Sequence, residues 1–330
     1  MKAAVVPAPN SKWQVKEVDR PTPGHNQVLI KIGASGLCYT DVHITEGHIP
    51  TQFPCTLGHE PVGEIVELGD AVTSRKVGDR VGVPWLQHSC GRCEWCSRGR
   101  PMFCANQVGT GLQSPGSHAQ FMLAYADSTM LLPDTLTYEE AAPIFCAGFT
   151  VWSGLRWANP QPGERIAVLG IGGLGHLAVQ YAHAAGFETI AISSSTDKEP
   201  LIKKLGADLV VKDGEALQKA GGADVILHCG NSSKAANAAI QGLRPDGRLI
   251  VMGADVEPIM ASPMDLLMRR ISIIGSQQNK REYLYEALEF VAKGKVKPMI
   301  EVFSLDQITD AYKKVEEGKV RFRAVISMSK

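Results

Sequence analysis

The sequence predicts an α/β protein of two domains, one of which is a doubly wound parallel sheet with helices on both faces. Three observations support this prediction. The chain has 330 residues, which is more than a single hydrophobic core normally serves. Up to about residue 150 it contains short β-rich runs separated by Gly, Pro and Asp, and from about residue 164 strands alternate with helices. A glycine-rich turn separates the first of these later strands from its helix.

The composition excludes several classes of protein. The formal net charge is zero, because 34 Lys and Arg balance 34 Asp and Glu, and nucleic-acid binders are usually basic. Hydrophobic residues make up 44% and charged residues 21%, which is typical of a globular enzyme and not of a disordered chain. No apolar run approaches the roughly 18 residues of a membrane span, and the early Pro7 argues against a signal peptide. We therefore expect a cytoplasmic protein with neither nucleic-acid nor membrane partners.

The first predicted domain covers residues 1–150 and is rich in β-structure. Its clearest strands are Val28–Ile32 and Gly63–Leu68, which end in turn residues. The strand-like run Arg323–Ser327 lies near the end of the chain. We expect this run to rejoin the first domain, which would then also include residues 291–330.

Four cysteines of the first domain follow the spacing C-x2-C-x2-C-x7-C. Four thiolates in one short segment can close a tetrahedral zinc site with no open position. The residues between them are largely polar, so the cysteines are unlike those of a core. An iron–sulfur cluster is the alternative, although its usual spacings differ. The spacing predicts a structural zinc site that folds a lobe, with ligands Cys90, Cys93, Cys96 and Cys104.

Two more cysteines and a histidine could form a second metal site. Cys38, His59 and Cys146 together offer two thiolates and one imidazole, the Cys2His set that leaves a fourth zinc position open for catalysis. Each also has an ordinary interpretation, because a buried cysteine often acts as a small hydrophobe and a lone histidine is often a core residue. The three are far apart in sequence, so their spacing alone leaves both interpretations open.

The second predicted domain covers residues 151–290 and begins with a dinucleotide-binding motif. The strand Arg165–Leu169 is followed by G-x-G-x-x-G and then by the helix Leu174–Ala185. The first glycine permits a tight turn, the second lets the backbone approach a pyrophosphate, and the third lets helix and strand pack closely. The helix N-terminus favours the anion. This context predicts a Rossmann domain whose cofactor contacts include Gly170, Gly172, Gly173, Leu174 and Gly175.

The end of the next predicted strand favours NADP(H) over NAD(H). A NAD site usually has a carboxylate there for the ribose hydroxyls, whereas this chain has Ser193. The hydroxyls of Ser193 and Ser194, with the nearby Lys198, could bind a 2′-phosphate that a carboxylate would repel. The alternative is a helix cap, because Ser and Thr are common at caps.

Together these motifs resemble the zinc-dependent alcohol dehydrogenases of the medium-chain dehydrogenase/reductase superfamily. The resemblance covers nearly the whole chain, with all motifs in the family's order. It rests on Gly58-His59-Glu60, the C-x-T-D-x-H run from Cys38, the four-cysteine lobe, the glycine motif and the segment around Cys146. It implies a β-rich, GroES-like catalytic domain with an inserted Rossmann domain, two zinc ions per chain and a homo-oligomer, either a dimer or a tetramer.

The resemblance also implies a role for individual residues. Cys38, His59 and Cys146 would be the ligands of the catalytic zinc. The other implied roles are an acid beside the zinc for Glu60, an orienting partner of His59 for Asp41, a proton relay for Thr40 and His43, a nicotinamide contact for Thr150, a position near the pyrophosphate for Arg323, and a substrate pocket for Ile49 and Trp85. Phe145 is a further candidate for the pocket.

The implied reaction is hydride transfer between NAD(P) and a primary or aromatic alcohol or its aldehyde. The bulky apolar pocket residues favour such substrates over polyols. The alternatives are a polyol or formaldehyde dehydrogenase of the same superfamily, a zinc- and nucleotide-binding protein without turnover, and a nucleic-acid-binding zinc ribbon. Ile271–Gly275 is a candidate edge strand that would pair across a dimer.

Overall fold

The structure is a computed structural model that describes residues 1–329, apart from the side chain of Thr196. It divides into two compact units, which are described separately: the first unit is Met1–Cys146 with the segment from Met299 onward, and the second is Ala147–Pro298. The second boundary lies after residue 298 and not after the predicted residue 290. The reason is that the Gln180 side chain donates to the carbonyl of Lys297 at 3.1 Å and accepts from its N–H at 2.8 Å.

The first unit consists mainly of β-structure. Its strands up to residue 146 are β1 (Lys2–Val5), β2 (Gln14–Glu17), β3 (Gln27–Leu37), β4 (Glu60–Leu68), β5 (Arg80–Gly82), β6 (Leu86–His88), β7 (Val108–Gly109), β8 (Phe121–Tyr125) and β9 (Met130–Leu131). Its helices in this part are α1 (Tyr39–Thr45), α2 (Glu94–Ser97) and α3 (Tyr138–Ala141).

The second unit alternates helices and strands. In chain order its elements are α4 (Ala147–Ala158), β10 (Arg165–Leu169), α5 (Gly175–Ala184), β11 (Glu188–Ile192), α6 (Glu199–Lys204), β12 (Leu209–Val211), α7 (Gly214–Lys219), β13 (Ala223–His228), α8 (Ser233–Ala239), β14 (Leu243–Val251), α9 (Pro263–Met268), β15 (Ser272–Gly275) and α10 (Arg281–Ala292). The chain then returns to the first unit with β16 (Ile300–Ser304), α11 (Ile308–Glu316) and β17 (Arg323–Ser327).

The main sheet of the first unit has the order β16-β17-β3-β4-β5-β9, with β8 also paired to β3. β17 is antiparallel to β3, with Ala324 opposite Leu37, so the C-terminal run is part of the first unit. β4 is antiparallel to β3 on its other side, with Gly36 opposite Glu60. The register therefore brings Arg323 and Glu60 close to the end of β3, next to the start of α1.

The sheet of the second unit confirms the predicted Rossmann architecture. Within the described residues its strand order is β12-β11-β10-β13-β14-β15, and all neighbours are parallel. The chain moves outward from β10 to β12 on one side and then from β13 to β15 on the other. β10 therefore lies at the reversal of strand order, where doubly wound sheets bind their ligands. Among residues 1–329, no helix has both the length and the apolar character that a membrane crossing requires.

Candidate active site

Side chains from three parts of the first unit meet at the end of β3. One donor atom from each of Cys38, His59, Glu60 and Cys146 lies within 4.8 Å of the others, and the two Sγ atoms are 3.9 Å apart. The Nε2 of His59 is buried, and among the described residues it has no hydrogen-bond partner. Such an orphaned nitrogen beside two thiols is satisfied by a metal ion. Two thiolates and an imidazole with a further position to spare fit zinc.

Asp41 is a fully buried carboxylate that organises this metal centre. It accepts the N–H of Cys38 at 2.9 Å and that of Gly58 at 3.2 Å, and its Oδ1 lies 3.6 Å from the Nδ1 of His59. Burial alone would raise the pKa of Asp41, but the charge of His59 and contact with His118 hold that pKa well below its usual range. Asp41 therefore stays ionised and attracts Nδ1, which leaves Nε2 of His59 for a metal.

Glu60 is fully buried and forms an ion pair with the Arg323 guanidinium. A Cβ at Gly36 would lie 1.8 Å from Oε2 of Glu60, so the carboxyl occupies space that only a glycine leaves open. Burial raises the pKa of Glu60 to about 7, although the charge of Arg323 opposes the shift. The resemblance implies a position near the pyrophosphate for Arg323, whereas in the structure Arg323 pairs with Glu60, which is 263 positions away in the sequence.

Cys146 follows a fully buried aromatic residue, Phe145. A Cβ at Gly82 would approach the Phe145 ring to 2.1 Å, so this glycine makes room for the ring and thereby fixes the start of the Cys146 segment. Phe145 is thus a core residue, and its assignment to the substrate pocket is wrong. The hydrogen bond between the two cysteines lowers the pKa of Cys38 well below its ordinary value and raises that of Cys146, so one proton is shared by the pair.

The predicted proton-relay residues lie on α1, directly after Cys38. The Oγ1 of Thr40 is 3.6 Å from the Sγ of Cys38. His43 lies three residues further along the same helix, a spacing that places two side chains on one face. Both residues are partly exposed. The helix therefore leads from the metal centre towards solvent.

The two predicted pocket residues differ in what surrounds them. The Trp85 ring meets the His59 ring edge-on, with centroids 5.3 Å apart and an interplanar angle of 75°, so Trp85 forms an apolar wall of the metal centre. Ile49 is half-buried and packs on an apolar cluster together with Phe53 and Leu112. Its place in a substrate pocket stays a prediction.

The structure also brings together the four cysteines of the lobe, whose sulfur atoms lie within 4.8 Å of one another. The lobe is a local structure, because its four cysteines all lie within residues 90–104. Cys93 directly precedes α2, and Cys104 is the last of the four. Backbone N–H groups of Arg92 and Cys93, and then the Cys104 side chain, lower the pKa of Cys90 to about 6. Converging N–H groups of this kind favour the thiolate, which is the form that binds zinc.

In the second unit, the glycine turn after β10 has the expected properties. Gly170 has a φ of +88°, and a Cβ at Gly175 would lie 2.0 Å from the carbonyl oxygen of Gly170. These two positions therefore require glycine for the turn and for close packing of α5 on β10. A Cβ at Gly172 would meet nothing within 4 Å, which leaves its backbone open to a pyrophosphate. Gly173 and Leu174 complete the turn before α5.

The residues predicted to select the cofactor lie in the turn between β11 and α6. The Oγ of Ser193 accepts the N–H of Ser195 at 3.3 Å, Ser194 is exposed, and Lys198 is the residue immediately before α6. The turn thus holds both hydroxyls and the ammonium within six residues of the chain. Thr150, the predicted nicotinamide contact, lies in the first turn of α4 and is half-buried.

Sequence reasoning missed a buried histidine beside the glycine turn. His228 is the last residue of β13 and only 1% exposed, and neither of its ring nitrogens has a partner in the described part of the chain. A Cβ at Gly230 would lie 4.0 Å from the Nε2 of His228 and 3.9 Å from the Cα of Gly170. Burial lowers the pKa of His228, which favours the neutral ring. The only signal in the sequence was one histidine within an apolar strand.

Comparisons with known proteins agree with this geometry. The family model for the alcohol dehydrogenase GroES-like domain matches residues 24–134, and that for a zinc-binding dehydrogenase matches residues 173–293. An alcohol dehydrogenase of Geobacillus stearothermophilus is 41% identical over 336 aligned residues, which cover 99% of this chain and 100% of the relative. The chain therefore belongs to the zinc-binding alcohol dehydrogenase family.

Solved structures share the whole fold. The alcohol dehydrogenase of Aeropyrum pernix has a TM-score of 0.91 at 30% identity and covers 99% of this chain and 100% of its own. Two others differ in their nucleotide, each with a TM-score of 0.88 at 27% identity. An acetophenone reductase of Geotrichum candidum is in complex with NAD and covers 99% and 96% of the two chains. A zinc-binding dehydrogenase of Sinorhizobium meliloti is bound to NADP and covers 99% and 98%.

Proposed function

We propose that this protein is a zinc-dependent alcohol dehydrogenase that interconverts a primary or aromatic alcohol and its aldehyde, with NADP(H) preferred over NAD(H). The observation that carries this proposal is the meeting of Cys38, His59 and Cys146 around an orphaned imidazole nitrogen, with the Thr40 hydroxyl beside it. The 41% identity to an alcohol dehydrogenase over the full chain supports the same reaction class.

Two sets of residues would hold zinc, the three ligands of the metal centre and the four cysteines of the lobe. When bound at the metal centre, zinc supplies Lewis-acid polarisation of the alcohol oxygen, and the nicotinamide supplies the hydride acceptor. The protein's own contribution begins with orientation. Asp41 fixes the His59 ring so that Nε2 is available, and Trp85 covers one side of that ring with an apolar surface.

The chain also moves the proton that the alcohol must lose. The Thr40 hydroxyl lies 3.6 Å from the Sγ of Cys38, and it accepts the alcohol proton while it passes its own outward. His43, on the same helix face and partly exposed, releases the proton to water. Histidine suits this exit because its imidazole exchanges protons readily near neutral pH.

The test of this function is aldehyde reduction by zinc-replete protein, followed by the loss of reduced-nicotinamide absorbance. Benzaldehyde and acetaldehyde are assayed before and after the zinc is removed with a chelator. Sorbitol is assayed as the substrate of a polyol dehydrogenase, and formaldehyde together with glutathione as that of a formaldehyde dehydrogenase. Thr40→Val should lower kcat by at least about a hundredfold, since positioned proton transfer contributes that much, while Thr40→Ser should retain most activity. If zinc-replete protein turns over none of these substrates, the result favours the alternative of a zinc- and nucleotide-binding protein that does not catalyse a reaction.

The cofactor preference rests on the turn after β11, where hydroxyls and Lys198 replace the usual carboxylate. Ser193→Asp should reverse the preference, because a carboxylate repels the 2′-phosphate of NADP and binds the ribose hydroxyls of NAD. Ser193→Asn, of the same size but uncharged, is the matched control. The readout is the ratio of kcat/KM for NADPH and NADH, and a wild-type ratio that favours NADH contradicts this part of the proposal.

We also propose a homo-oligomer that forms through the edge strand β15. Within the described residues β15 pairs with β14 on one side and has no strand on its other side, and Ile273 on β15 is 38% exposed. The adjacent α9 exposes Met264, Leu267 and Met268, an apolar surface of the type that marks protein contacts. Light scattering should give a dimer or tetramer for the wild type and a smaller species for Ile273→Lys. A monomeric wild type would contradict this proposal.

We also propose a cytoplasmic location. The eight cysteines are free, which is compatible with that location.

A further inference from the structure

A third group of metal-ligating side chains lies at the C-terminal end of α1. It consists of His43, Glu46 and His48, and one donor atom of each lies within 4.8 Å of the other two. The Nδ1 of His48 is 3.2 Å from the Oε2 of Glu46. The rings of His43 and His48 have centroids 5.8 Å apart and are inclined by 56°. None of the three belongs to either cysteine site.

The backbone holds these three residues in a defined turn. α1 ends at Thr45, and Glu46 still has helical backbone angles. Gly47 then adopts a φ of +81°, a left-handed conformation that favours glycine. This reversal lets the N–H of His48 donate to the carbonyl of His43 at 2.9 Å. The two histidines are thus joined by a backbone hydrogen bond, with the Glu46 carboxylate between them in sequence.

The donor set selects the class of ion. Two imidazoles and one carboxylate form the ligand set of several zinc sites, whereas magnesium and calcium prefer oxygen ligands alone. With zinc–nitrogen bonds of 2.0–2.1 Å, tetrahedral ligands lie about 3.4 Å apart. The Nδ1 of His48 and the Oε2 of Glu46 already lie at about this separation. The His43 nitrogen lies within 4.8 Å of both, so a shift of at most about 1.4 Å brings it to the same separation. The His48 side chain is 57% exposed, and it is therefore free to move by this amount.

We propose that His43, Glu46 and His48 bind a divalent transition-metal ion, with zinc as the probe ion, and that this ion inhibits the enzyme. Bound zinc occupies a lone pair of His43 that the proton needs on its way to solvent. The inhibitory half of the proposal rests on the proposed function, in which His43 releases the substrate proton. The binding half depends only on the three side chains.

Calorimetric titration of zinc into protein that already holds two zinc ions per chain tests the binding half. The wild type should bind one further zinc ion, and magnesium should bind far more weakly. His48→Ala and Glu46→Gln should each weaken this binding by at least about tenfold, since even residues that only support a metal ligand matter by that factor. His25→Ala removes an exposed histidine elsewhere in the first unit and should change nothing. The absence of a third site, or unchanged affinity in His48→Ala, overturns the proposal.

Turnover measured at increasing zinc concentration tests the inhibitory half. The wild-type rate should fall over the concentration range in which the third ion binds, and His48→Ala should keep its rate there. Zinc that binds at the third site without slowing the wild type overturns inhibition. If the protein shows no dehydrogenase turnover at all, the proposed function fails, and the calorimetric result still decides whether the metal site exists.

Discussion

The four-cysteine lobe and the Cys38–His59–Cys146 centre use similar ligands, yet the chain assembles them in opposite ways. All ligands of the lobe lie within 15 consecutive residues, and only Cys104 is fully buried. The metal centre draws its ligands from positions 38, 59 and 146, and it is supported by the buried Asp41 and the buried pair of Glu60 and Arg323. A local site of small buried area depends on its metal for folding, whereas a site inside a core is held by the core.

The largest difference should appear when one ligand of each site is removed. Cys96→Ser should destabilise the protein by at least about 4 kcal/mol, because the binding energy of a structural metal is folding energy. Cys146→Ser should keep nearly wild-type stability and lose activity by more than about a hundredfold. Zinc content, urea unfolding and kcat are measured on both variants. Equal loss of stability in the two would remove the distinction between the sites.

The ion pairs of the two regions should differ almost as much. Arg323→Met leaves Glu60 buried without its partner and should cost about 3–5 kcal/mol. Arg98→Met breaks the pair with Glu94 on α2 of the lobe, whose side chains are 63% and 61% exposed, and should cost less than about 0.5 kcal/mol. Urea unfolding gives both values. Partial recovery in the double variant Arg323→Met with Glu60→Gln would confirm that the unpaired carboxyl causes the loss.

Removing the orientation of His59 should produce a smaller effect, confined to one site. Asp41→Asn keeps the shape of the side chain but removes its charge, and it should weaken zinc binding at the metal centre by about 10–100-fold. The affinity of the four-cysteine lobe for zinc should stay unchanged. Competition with a chromophoric chelator gives the zinc affinity of each site. Equal weakening at both sites would mean that Asp41 acts on the stability of the whole unit instead.

The smallest expected difference is in the thiol reactivity of the metal-free protein. Because the pKa of Cys90 is lowered to about 6, this thiol is already ionised at neutral pH, where an ordinary cysteine, with a pKa near about 8.5, is mostly protonated. Iodoacetamide should therefore label Cys90 before Cys146, with a rate that rises through about pH 6. Cys146, whose pKa is raised and which lies beside Cys38, should react more slowly than Cys90. Mass spectrometry at several pH values gives the order, and an ordinary profile for Cys90 would show that the metal-free lobe loses its structure.

The same contrast explains how much of the site could be predicted. The lobe followed from spacing alone, because its ligands are close in the sequence. The Rossmann sheet followed from the alternation of strands and helices and from the glycine turn. The metal centre did not follow from spacing, since no periodicity links Cys38, His59 and Cys146. The resemblance to a family supplied that grouping, and the structure shows that their donor atoms do meet.

Other features depend on three-dimensional register and left no local pattern. The pair of Glu60 and Arg323 exists because β17 and β4 flank β3, and nothing near Arg323 in the sequence indicates a carboxylate partner. The end of the second unit was placed too early, because residues after α10 are held by the distant Gln180. The resemblance made Phe145 a further candidate for the pocket, whereas the structure buries its side chain fully in the core.

Gly36 links the composition of one strand to the chemistry of its neighbour. Since a Cβ at this position would collide with the Glu60 carboxyl, residues 36 and 60 cannot change independently as the sequence diverges. A descendant that gains a side chain at position 36 must first shorten or lose the acid at position 60, and its Arg323 would then be left as a buried cation. Restoring the acid at position 60 while position 36 keeps its side chain would recreate the collision. The three positions should therefore drift as one unit, even though they lie on three different strands.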